Sequence, residues 1–230
     1  TPVDEAIARC EEFRARVRSS PLAIASTLNP LALLHAMKGH VDESERLLDE
    51  ASATLEEIRG LGAGVSHLEA LARLLAGRPE HVENRLRTDV ETLSAMSEGS
   101  ALATTTALLA EAVYAQGRVE EAGELALAAE QMASAEDALT QAIWRGVRAK
   151  ALADAGSCEE ACVLAREAVA LLEPTDLLSQ RGDAMLALAE VLRTCERRDE
   201  ADRVTTEALE QYELKGNAVA GGRARSLLHD

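Results

Sequence analysis

The sequence predicts an all-α fold, a right-handed α-solenoid of antiparallel helix pairs: about five and a half repeats of 38–40 residues and a C-terminal capping helix, in one domain over residues 1–230. Three observations predict it. A short segment recurs as Val3-Asp4-Glu5-Ala6, Val41-Asp42-Glu43-Ser44, Pro79-Glu80-His81-Val82, Val119-Glu120-Glu121-Ala122, Cys158-Glu159-Glu160-Ala161 and Arg198-Asp199-Glu200-Ala201. The residues two places before each copy are Thr1, Gly39, Gly77, Gly117, Gly156 and Glu196, so these anchors are spaced by 38, 38, 40, 39 and 40 residues. A period of that length in helix-favouring sequence marks stacked helix pairs. Second, an alanine stands seven residues before every interior anchor, at Ala32, Ala70, Ala110, Ala149 and Ala189. Third, hydrophobic residues make up 47% of the chain but aromatics only 2%. Much of the apolar content is alanine, which favours helix and lets helices approach closely while burying little area per residue.

Each element follows from this register. The segment after an anchor opens a B helix, and its acidic pairs occupy the first turn, where carboxylates favour the helix dipole. B helices are expected near 3–18, 41–57, 79–96, 119–133, 158–173 and 199–213, with A helices near 22–38, 63–76, 101–116, 138–155 and 179–195. Glycine at the anchor suits the left-handed residue that ends a helix. Ser20-Pro21 has the cap-then-proline form of a helix start, whereas Asn29-Pro30, inside the same helix, predicts a kink or break. Pro174-Thr175-Asp176 closes a B helix, and Lys215-Gly216-Asn217 ends the last one and caps a short helix over 218–228. That final helix is expected to cover the open end of the stack. The helix at 3–18 lacks an A helix of its own, so Ile7, Cys10 and Phe13 are expected to keep an uncovered side that favours a homodimer through this end. A chain opening on Thr1-Pro2-Val3, at the turn of a repeat and without an initiator Met, reads as a fragment of something longer.

With the anchor at position 15 of each unit, small residues fall at 8 and 20 and mostly alanine at 27, as in Ala51, Ala129, Ala168 and Ala208. This pattern resembles the tetratricopeptide repeat over essentially the whole chain. It departs from that family in a period longer than its usual length of about 34 residues, in few aromatic positions, and in Glu196 where glycine is expected. Five later stretches, Thr140–Lys150, Arg166–Leu171, Gly182–Ala184, Leu188–Arg193 and Tyr212–Asn217, are similar to the C-terminal repeats of bacterial multidomain signalling regulators. In those proteins a nucleotide cyclase or transcription-factor module and an ATPase precede the repeats. The resemblance implies a cytoplasmic, non-catalytic regulatory or sensor module.

A formal charge of -16 opposes phosphate backbones, and one Trp, one Phe and two Tyr leave few platforms for stacking bases. Nucleic acid is therefore excluded as a partner, and a protein or peptide is favoured. No apolar run of membrane-spanning length is present, so no membrane partner is expected. Cys10, Cys158, Cys162 and Cys195 do not form the framework of a small secreted domain and are expected as free thiols in a reducing compartment.

Catalytic and metal sites are not expected, nor is a cofactor. The Gly60-Leu61-Gly62-Ala63-Gly64 cluster lacks the lysine and hydroxyl of a phosphate loop and reads as an inter-repeat loop. Cys158 and Cys162 share a helical face, but no His or Cys completes a metal set. The resemblance to tetratricopeptide folds places A-helix positions on a concave groove, carrying over Asn29, His67, Glu111, Tyr114, Lys150, Asp183, Glu190 and Arg193 as candidate contacts. Trp144, the one tryptophan, reads either as a packing residue or as a partner anchor. Arg145 and Arg148 beside it, with Lys150, are expected to form a basic patch on an acidic chain. Two other readings stand beside a protein-binding module: a sensor of a small molecule or peptide pheromone, and an oligomerisation scaffold.

Overall fold

The computed structural model of the chain describes residues 1–17, 20–59, 67–96 and 99–229. Among these the regular structure is helical, in the order α1 (Val3–Arg16), α2 (Pro21–Lys38), α3 (Val41–Arg59), α4 (His67–Leu75), α5 (Pro79–Met96), α6 (Gly99–Tyr114), α7 (Val119–Met132), α8 (Ala138–Asp154), α9 (Cys158–Leu172), α10 (Leu178–Thr194), α11 (Arg198–Lys215) and α12 (Ala218–Leu227). Even-numbered helices are the A set and odd-numbered ones the B set, as the register requires.

The turns between them share one geometry. Gly39, Gly77, Gly117 and Gly156 have φ of 82°, 72°, 78° and 84°. At the first, Gly39 N–H donates to the Ala36 carbonyl and His40 N–H to the His35 carbonyl, both at 3.0 Å. This double turn-back satisfies carbonyls that a helix end would otherwise leave unpaired. Glu196 makes the same pair of bonds, from its own N–H to Arg193 and from Arg197 to Leu192, at φ 60°. A Cβ is strained in that region by about 1–2 kcal/mol. Glu196→Gly is therefore expected to raise stability by about 0.5–1 kcal/mol, strain relief exceeding the entropy glycine adds to the unfolded chain. A urea midpoint that does not rise would show the turn already relaxed.

The small positions are where the layers touch. Ala32, Ala70, Ala110, Ala149 and Ala189 are all 0% exposed. Their counterparts on the B helices, Val82, Ala122, Ala161 and Ala201, are equally buried. In the second repeat Ser44 takes that place and its hydroxyl donates to the Ala32 carbonyl at 2.8 Å, so a polar residue is accommodated without an unmet donor. From α2 to α8 each A helix packs on its own B helix and on the A helix of the next repeat, as α2 does on α3 and α4 and α8 on α9 and α10. The A helices thus form an inner layer. Ion pairs tie repeats together further out: Glu83 of α5 accepts from Arg87, Arg118 and Gln116, and Arg118 foremost holds its carboxyl down at about 2.

The final helix does more than cover an end. α12 packs on α11 and also reaches α2. Across this seam Lys215 Nζ donates to the Thr1 carbonyl at 2.9 Å, and Arg223 Nη2 to the Leu75 carbonyl at 2.5 Å. A Cβ on Gly39 would lie 3.5 Å from the Val219 side chain, and one on Gly216 would lie 3.6 Å from the Val3 nitrogen. The stack curls until its last helix meets its first pair. Val3 is 1% exposed in consequence, while Ile7 and Cys10 are half-buried and Phe13 is 49% exposed.

Two expectations are corrected. Helix α2 runs unbroken through Pro30, because neighbouring helices hold it in place despite one missing backbone donor. Nor are all four cysteines free: Cys158, at the start of α9, is joined to Cys195, at the end of α10, with their Cα atoms 5.6 Å apart. Their separation of 37 residues is close to one period, which brings equivalent edges of adjacent repeats side by side. Cys10 and Cys162 stay free. Cys162 is in the core rather than sharing a metal face with Cys158, and no group of three or more His, Cys, Asp or Glu able to hold a metal occurs among the described residues. The Gly60–Gly64 cluster lies outside the described residues. No described helix is long and apolar enough to cross a membrane.

Candidate functional site

The inner layer lines an open cavity of about 330 Å³, walled by residues of α2, α4, α6, α8, α10 and α12. One register of the repeat builds its face. Six residues before each interior anchor stand Leu33, Leu71, Glu111, Lys150 and Glu190, and all five line the cavity. The column changes character along the chain: aliphatic in the first two repeats, where Met37, Leu74 and Leu75 join it, and charged in the last three, where Asp183 and Arg223 join it.

Lys150 is 7% exposed. Its ammonium stands 4.0 Å from the centre of the Tyr114 ring, 3.5 Å from Glu111 Oε1 and 4.0 Å from Glu190 Oε2. The Tyr114 hydroxyl donates to Glu190 Oε1 at 2.7 Å. Burial, and then that carboxylate, push the phenol pKa up, so it remains a donor.

Asp183 is oriented by a close approach. A Cβ on Gly182 would lie 2.6 Å from Tyr212 Cε1, so only glycine lets the tyrosine ring lie against α10. From there the buried Tyr212 hydroxyl donates to Asp183 Oδ1 at 2.7 Å. The Asp183 side chain lines the cavity and is solvent-exposed there. Water still reaches it, but the protein crowded around the carboxyl disfavours its charged form and pushes its pKa from 3.8 up to about 6, against the opposing pull of the Tyr212 bond. Because the folded value lies above the ordinary one, ionising Asp183 costs the fold stability as pH rises through that window. Beside it, Asn217 caps α12 by accepting from Ala220 N–H at 3.1 Å, and its amide donates to Ser179 Oγ at 3.3 Å.

Of the residues singled out from the sequence, Glu111, Tyr114, Lys150, Asp183 and Glu190 come together at this charged end. Tyr114 joins them through Lys150 and Glu190 from behind the wall, and the others do not line the cavity. Asn29 is half-buried in α2, its Oδ1 without a partner among the described residues. His67, at the start of α4, has Nε2 3.3 Å from Thr105 Oγ1, and burial lowers its pKa. Arg193 ties α10 to α11 and α12, pairing with Asp202 and donating to the Leu227 carbonyl, each at 2.9 Å.

Trp144 is a core residue, 2% exposed, with Nε1 donating to Gln141 Oε1 at 3.1 Å. The basic patch is not formed. Arg145 lies over the Trp144 ring at 4.2 Å and pairs with Glu167, Arg148 pairs with Glu130, and Lys150 turns into the cavity. Arg145 and Arg148, three apart, share a helical face but are each neutralised by a glutamate of a neighbouring helix, whereas Lys150, five along from Arg145, falls on another face. The residues sequence reasoning missed are the aliphatic wall and Arg223. Leu33 and Leu71 share the register of Glu111, and extending that register to apolar residues would have found them. Arg223 has no such signal, because its place depends on α12 reaching α4.

The chain matches no family model and no curated protein. In fold it is similar to solved helical-repeat structures. NprR, solved in complex with its cognate peptide NprX, superposes with a TM-score of 0.68 at 17% identity, covering 98% of this chain and 66% of NprR. BtubC (BKLC) from P. vanneervenii gives 0.59 at 18% identity over 93% of this chain and 92% of that one. A putative kinesin light chain of nearly identical TPR-like repeats from P. anserina gives 0.53 at 23%, over 86% and 96%. At these identities the likeness is one of fold: the chain is a tetratricopeptide-like solenoid.

Proposed function

We propose that the chain is a non-catalytic module that captures a short peptide, or an extended segment of a protein, in the cavity lined by its A helices, and that it serves as the regulatory arm of a larger bacterial signalling protein. The observation that carries this reading is the make-up of the cavity wall. Leu33 and Leu71 come from the first repeats, and Asp183 and Arg223 from the last, so an occupant touches both ends of the stack at once. A ligand that bridges them binds the curled form better than an opened one and shifts the population towards it. That difference in shape is what a neighbouring domain would sense. The likeness to NprR, solved with a peptide bound, supports a peptide as occupant. A volume of about 330 Å³ is at the lower end for ligand sites and suits a few residues rather than a folded partner. The same volume favours, as the second reading, a small diffusible ligand enclosed whole.

The test is selection of a random heptapeptide library on the chain and, in parallel, on Ala115→Trp. Ala115 is exposed at the end of α6 and lines the cavity, so a large side chain there obstructs the space without entering the core. Enriched peptides are expected to bind the parent chain and to lose most of their affinity for the obstructed variant. Peptides that bind both equally would remove the cavity from the function. Failure to enrich any peptide, together with a thermal shift from a metabolite, would move the reading to a small-molecule sensor.

A further inference from the structure

We infer that the occupant of this cavity is a cationic, aliphatic peptide segment, with its side chain against Leu33 and Leu71, a backbone carbonyl at Lys150, and an ammonium or guanidinium among Glu111, Asp183 and Glu190. The inference rests on the peptide-capture reading and specifies its chemistry. Three features of the wall converge on it.

Carboxylates outnumber cations on the lining, three against Lys150 and Arg223. Lys150 is shared between Glu111 and Glu190 at 3.5 and 4.0 Å, which leaves each carboxylate only partly matched. Asp183 accepts a bond from Tyr212 and has no cationic side chain within ion-pair distance among the described residues. Arg223 is held to the Leu75 carbonyl and also lacks a carboxylate at ion-pair distance among them. A ligand cation completes the acidic set, and an overall charge of -16 favours its approach.

Lys150 adds a separate requirement. More than nine-tenths buried, its ammonium makes no hydrogen bond among the described residues, only the longer contacts given above. Its three donors meet only these long contacts, so it keeps donor capacity for an acceptor arriving from the cavity. Between two carboxylates that acceptor is best uncharged, such as a peptide carbonyl. This separates a peptide from a simple alkylamine, which brings no acceptor. The aliphatic half of the column then sets the side chain, since Leu33, Met37, Leu71 and Leu75 offer nothing to a polar group.

The experiment is calorimetric titration of the chain with four tripeptides of Leu-Leu-Xaa form. One is capped at both ends with Xaa lysine, placing the cation on a side chain. One has a free amino end with Xaa norleucine and an amidated carboxyl end, placing the cation at the terminus. One is the fully capped norleucine peptide, and one the capped peptide with glutamate. At least one cationic peptide is expected to bind about ten-fold more tightly than the neutral one, as charge-assisted bonds imply. Which of the two does so identifies the source of the charge. The advantage is expected to fall to about three-fold or less in Asp183→Asn combined with Glu190→Gln. Glu190→Gln alone, at an exposed position, is expected to give a partial loss and guards against misfolding of the double variant. Equal binding of the neutral or glutamate peptide, or no binding of either cationic one, overturns the inference. Library peptides that need the open cavity but carry no cation would do the same while leaving peptide capture intact; loss of all cavity-dependent binding would remove both.

Discussion

Replacing Tyr212 by alanine is expected to lower the stability of the fold by about 4 kcal/mol, read as a fall in the urea midpoint with helicity retained at low denaturant. Tyr212 is fully buried and sits among Ala208, Ala220 and Ala224, with Leu75, Met185, Leu186 and Leu209 around it. Leu75 belongs to α4, so this cluster joins the last helices to the early repeats. The truncation leaves a cavity that backbone contacts cannot refill, and it weakens the seam that Arg223 and Lys215 hold from outside. A smaller companion change separates packing from hydrogen bonding. Tyr212→Phe keeps the ring on Gly182 and is expected to cost only about 1 kcal/mol. It also removes a bond that holds the Asp183 pKa down, so that value is expected to rise further in a carboxyl NMR titration. A loss below about 1 kcal/mol for the alanine variant would show that the seam does not depend on this side chain.

Trp144→Ala is expected to cost a similar amount, about 4 kcal/mol. The ring belongs to the core cluster that holds Ala107, Ala110 and Ala126, contributed by α6, α7 and α8, and Arg145 closes over it at 4.2 Å. In a chain with one tryptophan and so much alanine, few side chains supply comparable buried area. The affinity of a cavity-bound peptide for the folded fraction is expected to stay unchanged, because Trp144 is absent from the lining. Wild-type stability combined with a selective loss of binding would instead make Trp144 a contact residue.

The repeat register was legible because it is written in local requirements. A left-handed residue at a helix end asks for glycine, a close helix crossing asks for alanine, and both recur at fixed spacing. Glu196 shows the limit of such reading, since it takes the glycine conformation at a cost the neighbouring repeats bear. The candidate site was half legible. Glu111, Lys150 and Glu190 stand out as polar residues on A helices, whereas Leu33 and Leu71, in the same register, look like any other leucine. Trp144 was open to two readings, and the packing of α8 selects the buried one; it also stacks Arg145 on the indole, away from the basic patch expected there. The disulfide escaped notice because Cys158 and Cys195 become neighbours only when adjacent repeats align.

By itself the sequence determined the approximate helix spans, the alternation of A and B helices and the small-residue contacts between successive repeats, all of which depend on residues at most about one period apart. The tertiary structure decided that the stack curls far enough for α12 to meet α2, and hence that a cavity exists and Arg223 and Asp183 share it. Curvature accumulates from a small rotation at every repeat interface. No single residue encodes that sum, so contacts between the two ends of the chain appear only when all the interfaces are assembled.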